Sequence, residues 1–328
     1  MRAAGYERTG PAREVLQLLE LPDPTPDAGE VRVRVHSSGV NPSDVKSRAG
    51  VRSKTLPFPR VIPHSDGAGV IDAVGPDVSA SRIGERVWIW NAAWGRPQGT
   101  AAELIALPAQ QAVHLPDNID FDVGACLGIP ALTAYHAVRT DGGVSGKSVL
   151  VAGGAGAVGH YAIQIAKTAG AAQVLTTVSS ADKSALARAA GADVVINYKT
   201  DDVAARVQEA TGGHGVDRII EVDFGVNIGL DTQILAAGGE IVVYGSNAPE
   251  IPVPFVPMIL KNVGLRFFIV YNLSTPARGE ALQGLNALLA ADKLIHNIAA
   301  RIPLDHIADA HEMVESGRAG GNVVVSLR

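Results

Sequence analysis

A mixed α/β architecture, in which a doubly wound parallel sheet accompanies a β-rich domain, follows from three features of the 328-residue sequence. From about residue 122 onward, short apolar strands alternate with helical segments, as βαβ units do. Before that point the chain reads as short strands between Gly, Pro and Asp punctuation. Within the alternating part, Gly154-Ala155-Gly156-Ala157-Val158-Gly159 fits the pattern G-x-G-x-x-G. A chain this long exceeds the usual limit of a single core, so two domains are expected.

The elements follow in order. Residues 31–35 alternate Val-Arg-Val-Arg-Val, the period of a half-buried strand. Residues 67–75 and 84–90 are apolar, β-branched runs, and 100–107 and 112–115 complete a compact barrel-like β domain. In the second part, strands at 148–152, 173–178, 194–197, 217–221 and 240–244 enclose helical segments at 158–169, 181–190, 203–211 and 228–236. Residues 265–270 supply a last strand. A helical tail carrying Leu282, Leu285, Leu288 and Leu289 then precedes a final strand at 323–327. Domain boundaries are expected at 1–122, 123–272 and 273–328, the last segment returning to the first domain.

Composition narrows the function classes. A hydrophobic content of 47% is that of a globular protein with ample core. A formal net charge of −5 gives no bulk attraction to nucleic acid or to anionic membranes. Cys126 is the single cysteine, so neither an internal disulfide nor a Cys-rich zinc site can form. The most apolar window, 123–138, is too short to span a bilayer, and the N-terminus shows no apolar signal region. The simplest expectation is a soluble cytoplasmic protein.

The glycine pattern gains weight from its context. It follows the buried strand Val149-Leu150-Val151 and opens a helix with Val158, Ala162, Ile165 and Ala166 on its apolar side. Without Cβ atoms, backbone N–H groups can approach a dinucleotide pyrophosphate, and the helix N-terminus favours its charge. The end of the next strand reads Thr176-Thr177-Val178-Ser179-Ser180, with no carboxylate before Asp182 and with Lys183 beside it. An acid there would grip the free ribose hydroxyls of NAD, whereas hydroxyls and a lysine suit the 2′-phosphate of NADP. The plainer alternative for Lys183 is a solvated helix residue.

Other motifs carry less. Gly142–Ser148 has the letters of a P-loop, but its spacing fails and it precedes a strand. His64-Ser65-Asp66 cannot converge as a hydrolase triad because the residues are adjacent. His311 and Glu312 lack the second histidine of a zinc-protease helix.

Taken together, Gly39-Val40-Asn41-Pro42-Ser43-Asp44, His64-Ser65-Asp66-Gly67-Ala68-Gly69, Gly128-Ile129-Pro130-Ala131-Leu132-Thr133-Ala134-Tyr135 and the glycine stretch give the chain a family likeness over nearly its whole length. It resembles the zinc-free, zeta-crystallin-like quinone oxidoreductases of the medium-chain dehydrogenase/reductase superfamily. The resemblance implies a GroES-like β-rich catalytic domain interrupted by a Rossmann domain, with the active site in the cleft between them. In zinc alcohol dehydrogenases of the superfamily, a Cys and a His hold the catalytic zinc at the positions of Asn41 and Ser65, so no metal is expected.

Carried over position by position, Asn41 lies beside the nicotinamide ribose and Thr133 against the nicotinamide. Gly153, Gly154, Gly156, Ala157, Val158 and Gly159 line the pyrophosphate. Ser179, Lys183, Tyr198 and Arg318 surround the adenosine 2′-phosphate, and Lys183 followed by Asn197-Tyr198 matches the family's arrangement. Ser246 touches the ribose, and backbone at Phe268 and Val270 holds the carboxamide. The strand carrying Phe268 often pairs across a homodimer in this family, with tetramers also possible.

The chain departs from the family where tyrosines usually follow the Asn-Pro motif, since it has Lys46 and Arg52 instead. Asn-Pro-Ser-Asp-Val-Lys resembles the alkenal/enone reductases, whose lysine lies near the nicotinamide. His64 replaces a common glycine. Asn41, Lys46, Arg52 and His64 are therefore the candidate catalytic residues, against a plainer reading of solvated side chains. The expected activity is NADPH-dependent reduction of quinones or α,β-unsaturated carbonyls by hydride transfer. The alternatives are a zinc-independent alcohol dehydrogenase, or a non-catalytic NADPH-binding protein of the crystallin or RNA-binding kind.

Overall fold

The computed structural model describes residues 1–51 and 53–327. Its strands, in chain order, are β1 (Arg2–Gly5), β2 (Gln17–Glu20), β3 (Glu30–Val40), β4 (Asp66–Val74), β5 (Arg86–Ile89), β6 (Leu104–Pro108), β7 (Ala112–His114), β8 (Ser148–Val151), β9 (Gln173–Val178), β10 (Val194–Asn197), β11 (Val216–Glu221), β12 (Leu235–Val243), β13 (Gly264–Phe267), β14 (Ile298–Pro303) and β15 (Asn322–Ser326). The chain forms two compact units. One comprises Met1–Ile129, Leu289–Ala291 and His296–Arg328; the other comprises Pro130–Leu288 and Asp292–Ile295.

The first unit is built on β3. This long strand pairs antiparallel with β4, β6 and β15, and the sheet runs β14-β15-β3-β4-β5-β7. Register shifts at Arg32/Val33 and Val35/Ser37 mark irregularities that bend the strand and let it serve several partners. The Val-Arg alternation behaves as its period requires. Val31, Val33 and Val35 enter the core with Ile71, Val87, Ile105 and Val325. Arg32 and Arg34 face outward and both donate to Asp72, at 2.8 and 2.9 Å.

Period-two reading of this region misses the helix Pro42–Arg48. Its signal is local: Asn41 caps it, proline occupies the first turn, and the Asp44 carboxylate accepts the Asn41 N–H at 2.8 Å. At the other end Arg48 is fully enclosed, donating to the Gly10 carbonyl and to Glu315 at 2.8 Å.

The second unit is a parallel sheet in the order β10-β9-β8-β11-β12-β13. The order reverses between β8 and β11, so the crevice at their carboxyl ends is the topological switch point. The helix Thr275–Ala290 differs from expectation, since all but its last two residues belong to this unit and not to a returning 273–328 segment. The reason is packing. Gly284 lies so close to the Tyr135 ring that a Cβ there would sit 1.9 Å from its hydroxyl, and Arg278 donates to the Val270 carbonyl.

Arg218 of β11 is also fully buried. Its guanidinium donates to the carbonyls of Val138 (3.2 Å), Thr140 (2.9 Å) and Asp141 (3.2 Å), and to Glu240. Arg218→Ala strands those carbonyls and removes the charge paired with Glu240. The expected cost is about 3–5 kcal/mol of stability, read as a lower denaturant midpoint. A loss below about 1 kcal/mol would show that the enclosed guanidinium does not hold this corner.

Candidate active site

The glycine turn joins β8 to the helix Ala157–Thr168 at the switch point. Gly153 adopts φ +71°, a conformation open to glycine. A Cβ on Gly154 would meet Thr176 Oγ1 at 2.0 Å, and one on Gly159 would meet the Gly153 carbonyl at 2.3 Å. Both glycines are therefore demanded by the protein's own packing. Gly156 is less crowded, but a Cβ there would still meet the Gly153 carbonyl tightly, at 3.2 Å.

Two threonines of β9 fix this backbone. Thr176 Oγ1 donates to the Val151 carbonyl at 2.7 Å, while Thr177 accepts the Gly153 N–H at 3.2 Å. Their hydroxyls are thereby committed to the turn, a role the sequence reading did not assign. Gly156 caps the helix without a side chain, so the first-turn N–H groups of Ala157, Val158 and Gly159 have no intrahelical partner. Such an end accepts an anion, and a dinucleotide pyrophosphate fits it.

At the carboxyl ends of β9 and β10 the structure groups Ser179, Lys183 and Tyr198. Asn197 lies in register with Val178, and the Tyr198 N–H donates to the Val178 carbonyl at 3.1 Å. Tyr198 is exposed, and Lys183 stands in the first turn of the helix Ala181–Ala189. Ser180 caps that helix by accepting the Lys183 N–H at 3.3 Å. Arg318 lies in the first unit, on the exposed stretch after the helix Ile307–Glu315. Thr133 is buried in the helix Leu132–Arg139. Ser246 follows β12, where its hydroxyl accepts the Ala248 N–H at 3.0 Å. Phe268 follows β13 and donates its N–H to the Val243 carbonyl at 3.1 Å, whereas the Val270 carbonyl is taken by Arg278.

In the first unit, Asn41 is buried and donates its amide to Asp66 Oδ2 at 2.8 Å. Lys46 stands half-buried in the last turn of the helix Pro42–Arg48. Arg52 lies outside the described residues.

His64 needs correction as a substrate-facing residue. It has no exposed surface, and both of its ring nitrogens are engaged within the core. Thr100 donates to the Asp66 carbonyl, which can only accept. Ser38 must then donate to Thr100 (2.7 Å), so His64 Nδ1–H donates to Ser38 (2.8 Å). His64 Nε2 is left as the acceptor for His311 Nε2–H at 2.9 Å. One directional chain thus sets both tautomers. His311, set aside as a failed protease motif, is the far end of it.

Asn41 presents an amide and Ser65 a hydroxyl, and no group of three His, Cys, Asp or Glu side chains among the described residues is placed to hold a metal. Cys126 is buried with its thiol directed to the Asp122 carbonyl, and burial raises its pKa well above the ordinary value. No helix among the described residues is long and apolar enough to cross a membrane.

Comparison with known proteins agrees with this geometry. Residues 27–117 match the alcohol dehydrogenase GroES-like domain, and residues 157–288 match the zinc-binding dehydrogenase family. A quinone oxidoreductase from Lama guanicoe is 33% identical, covering 100% of this chain and 98% of its own length. The solved structure of an NAD-dependent alcohol dehydrogenase superposes with a TM-score of 0.90 at 30% identity, covering 100% of both chains. That of Escherichia coli quinone oxidoreductase complexed with NADPH gives 0.88 at 26% identity, covering 99% of this chain and 100% of its own.

The histidine pair makes the first unit acid-sensitive. Burial, then the neighbouring imidazole, lowers the His64 pKa well below its ordinary value. Burial, then the Arg48 charge, lowers that of His311 to about 3. Both groups bind protons more readily unfolded. Their contribution is intact above about pH 6.5 and is lost below it, by about 1.4 kcal/mol per pH unit for each histidine. His311→Gln should flatten the stability profile between about pH 4 and 6 by one such slope, followed by denaturation at stepped pH. Parallel profiles for the two proteins would exclude this source of acid sensitivity.

Proposed function

Because the chain belongs to the medium-chain dehydrogenase/reductase superfamily, among the quinone oxidoreductases, we propose that it reduces quinones or α,β-unsaturated carbonyl compounds with NADPH and without zinc. The observation that carries the reading is the tightly packed glycine turn at the switch point of the sheet, which leads into a helix N-terminus with no side-chain cap. The pyrophosphate sits against Gly153, Gly154, Gly156, Ala157, Val158 and Gly159. Ser179, Lys183 and Tyr198 receive the 2′-phosphate, the end of β9 carrying no carboxylate before Asp182.

When bound, the cofactor supplies a hydride from its nicotinamide ring. The chain's own groups do the rest. Asn41 holds the nicotinamide ribose and Thr133 backs the ring, while Ser246 touches the ribose and backbone at Phe268 and Val270 holds the carboxamide. Lys46 donates to the acceptor oxygen as negative charge develops there. An amide at Asn41 and a hydroxyl at Ser65 support chemistry that does not rely on a Lewis acid. Quinones and enones suit such a site, being electron-poor before any polarisation.

Parallel assays of NADPH and NADH oxidation, with simple quinones and short alkenals, test the reading. Turnover of at least one class, with NADPH preferred, is expected. Lys183→Glu should shift that preference towards NADH by roughly 10- to 100-fold. Tight NADPH binding without turnover of either class would defeat the proposal, and an unchanged cofactor preference would remove Lys183 from it.

We also propose a homodimer formed through the second unit. Its sheet ends at β13, whose Phe267 is 60% exposed. The helix Phe255–Leu260 nearby in sequence exposes Phe255, Val256, Ile259 and Leu260. Apolar surface of this extent beside an open strand edge is suited to a second copy of the chain. Light scattering should give twice the 34.0 kDa chain mass, reduced to one by Phe267→Lys. A wild-type mass of one chain would refute the dimer.

A further inference from the structure

We infer that Asp66 is a positioning residue for Asn41, fixing which way round its amide lies where the bound cofactor meets it. The inference rests on the proposed placement of Asn41 beside the nicotinamide ribose. Asp66 has no exposed surface. Its Oδ2 accepts from the backbone N–H of Ile129 at 3.0 Å and from Asn41 Nδ2 at 2.8 Å. A backbone N–H can only donate, so Oδ2 must be an acceptor, and Asn41 must present its NH2 to it. The same oxygen therefore reads out which way round the Asn41 amide lies.

Two glycines lie close against this side chain. A Cβ on Gly128 would sit 2.4 Å from Asp66 Oδ1, and one on Gly39 would sit 3.1 Å from the Asp66 Cβ. Oδ1 is enclosed without a hydrogen-bond partner among the described residues. Burial, followed by the Asp44 charge, raises the Asp66 pKa well above the usual range, outweighing the hydrogen bonds from Asn41 and Ile129. A proton on Oδ1 keeps the carboxyl neutral and leaves Oδ2 free to accept from both partners. Asparagine in its place would preserve that pattern, with its own NH2 directed where Oδ1 now lies.

Asp44 completes the fixation from the other side, since its carboxylate accepts the Asn41 backbone N–H at 2.8 Å. Backbone and side chain of Asn41 are thus held by two different acids. Asp66 takes the amide NH2, while the Asn41 side-chain oxygen accepts the Asp44 backbone N–H.

The test is a double-mutant cycle read by direct NADPH titration, with melting temperature measured on the same samples. Asp66→Ala should weaken NADPH binding about tenfold in the wild-type background and less than about twofold in an Asn41→Ala background. Asp66→Asn should restore affinity to within about twofold of wild type. If Asp66→Ala does not fold, Asp66→Ser serves in the same cycle, its hydroxyl being too short to reach Asn41. Equal losses in both backgrounds would show that Asp66 acts only through stability and would overturn the inference. If Asn41→Ala alone leaves NADPH affinity unchanged, the placement of Asn41 falls, and this inference falls with it.

Discussion

The second unit depends on a contact between two stretches of backbone. Gly159 lies against the Gly153 carbonyl so closely that no side chain could intervene, and that approach sets the start of the helix Ala157–Thr168 on the end of β8. Once the helix starts there, its unpaired N–H groups must open at the switch point of the sheet. Thr176 and Thr177 lock the arrangement from β9, one by donating to the backbone and one by accepting from it. The three glycines of the motif therefore answer to different constraints. Gly154 and Gly159 would be needed in any turn packed this tightly. Gly156 is the least crowded of the three, although a Cβ there would still press on the Gly153 carbonyl.

The first unit solves a different problem, because its core holds Asn41, Asp66, Ser38, His64, Thr100 and His311 together. Burying so many polar groups is costly unless each finds a partner. Nearly all do, and the loose ends that remain, Asp66 Oδ1 and His311 Nδ1, are not backbone donors. On the tautomer the chain imposes, His311 Nδ1 is an acceptor, and an unmet acceptor is easier to tolerate than an unmet N–H. The fixed direction of hydrogen bonding leaves little freedom to the residues along it. Asn41 inherits that rigidity through Asp66.

Much of this was legible in the sequence. The period-two run at Val31–Val35 and the alternating segments after residue 122 gave the strands within a few residues, because burial on one face or both leaves a local trace. The glycine turn was legible for the same reason, its flanks being strand and helix. What escaped were features whose cause is distant in sequence. His64 and His311 are 247 residues apart, and nothing near either one announces the other. The leucines of the helix Thr275–Ala290 revealed a helix but not which core would take it. The helix Pro42–Arg48 was missed for a lesser reason, since Asn-Pro-Ser-Asp carries a readable cap.

That helix bears on the chemistry proposed for Lys46. Its first turn is tied by Asn41 to Asp44 and Asp66, and its last residue, Arg48, is tied to Gly10 and Glu315. A backbone held at both ends gives a long side chain a fixed point of departure, whatever the flexibility of its methylenes. Positioning of this kind matters most for a group that must meet charge appearing on a substrate oxygen, because misplacement by an ångström weakens the interaction steeply. A lysine on a loose loop would spend its advantage in disorder. Placed two residues before an enclosed arginine, it starts from one of the most firmly anchored segments of the unit.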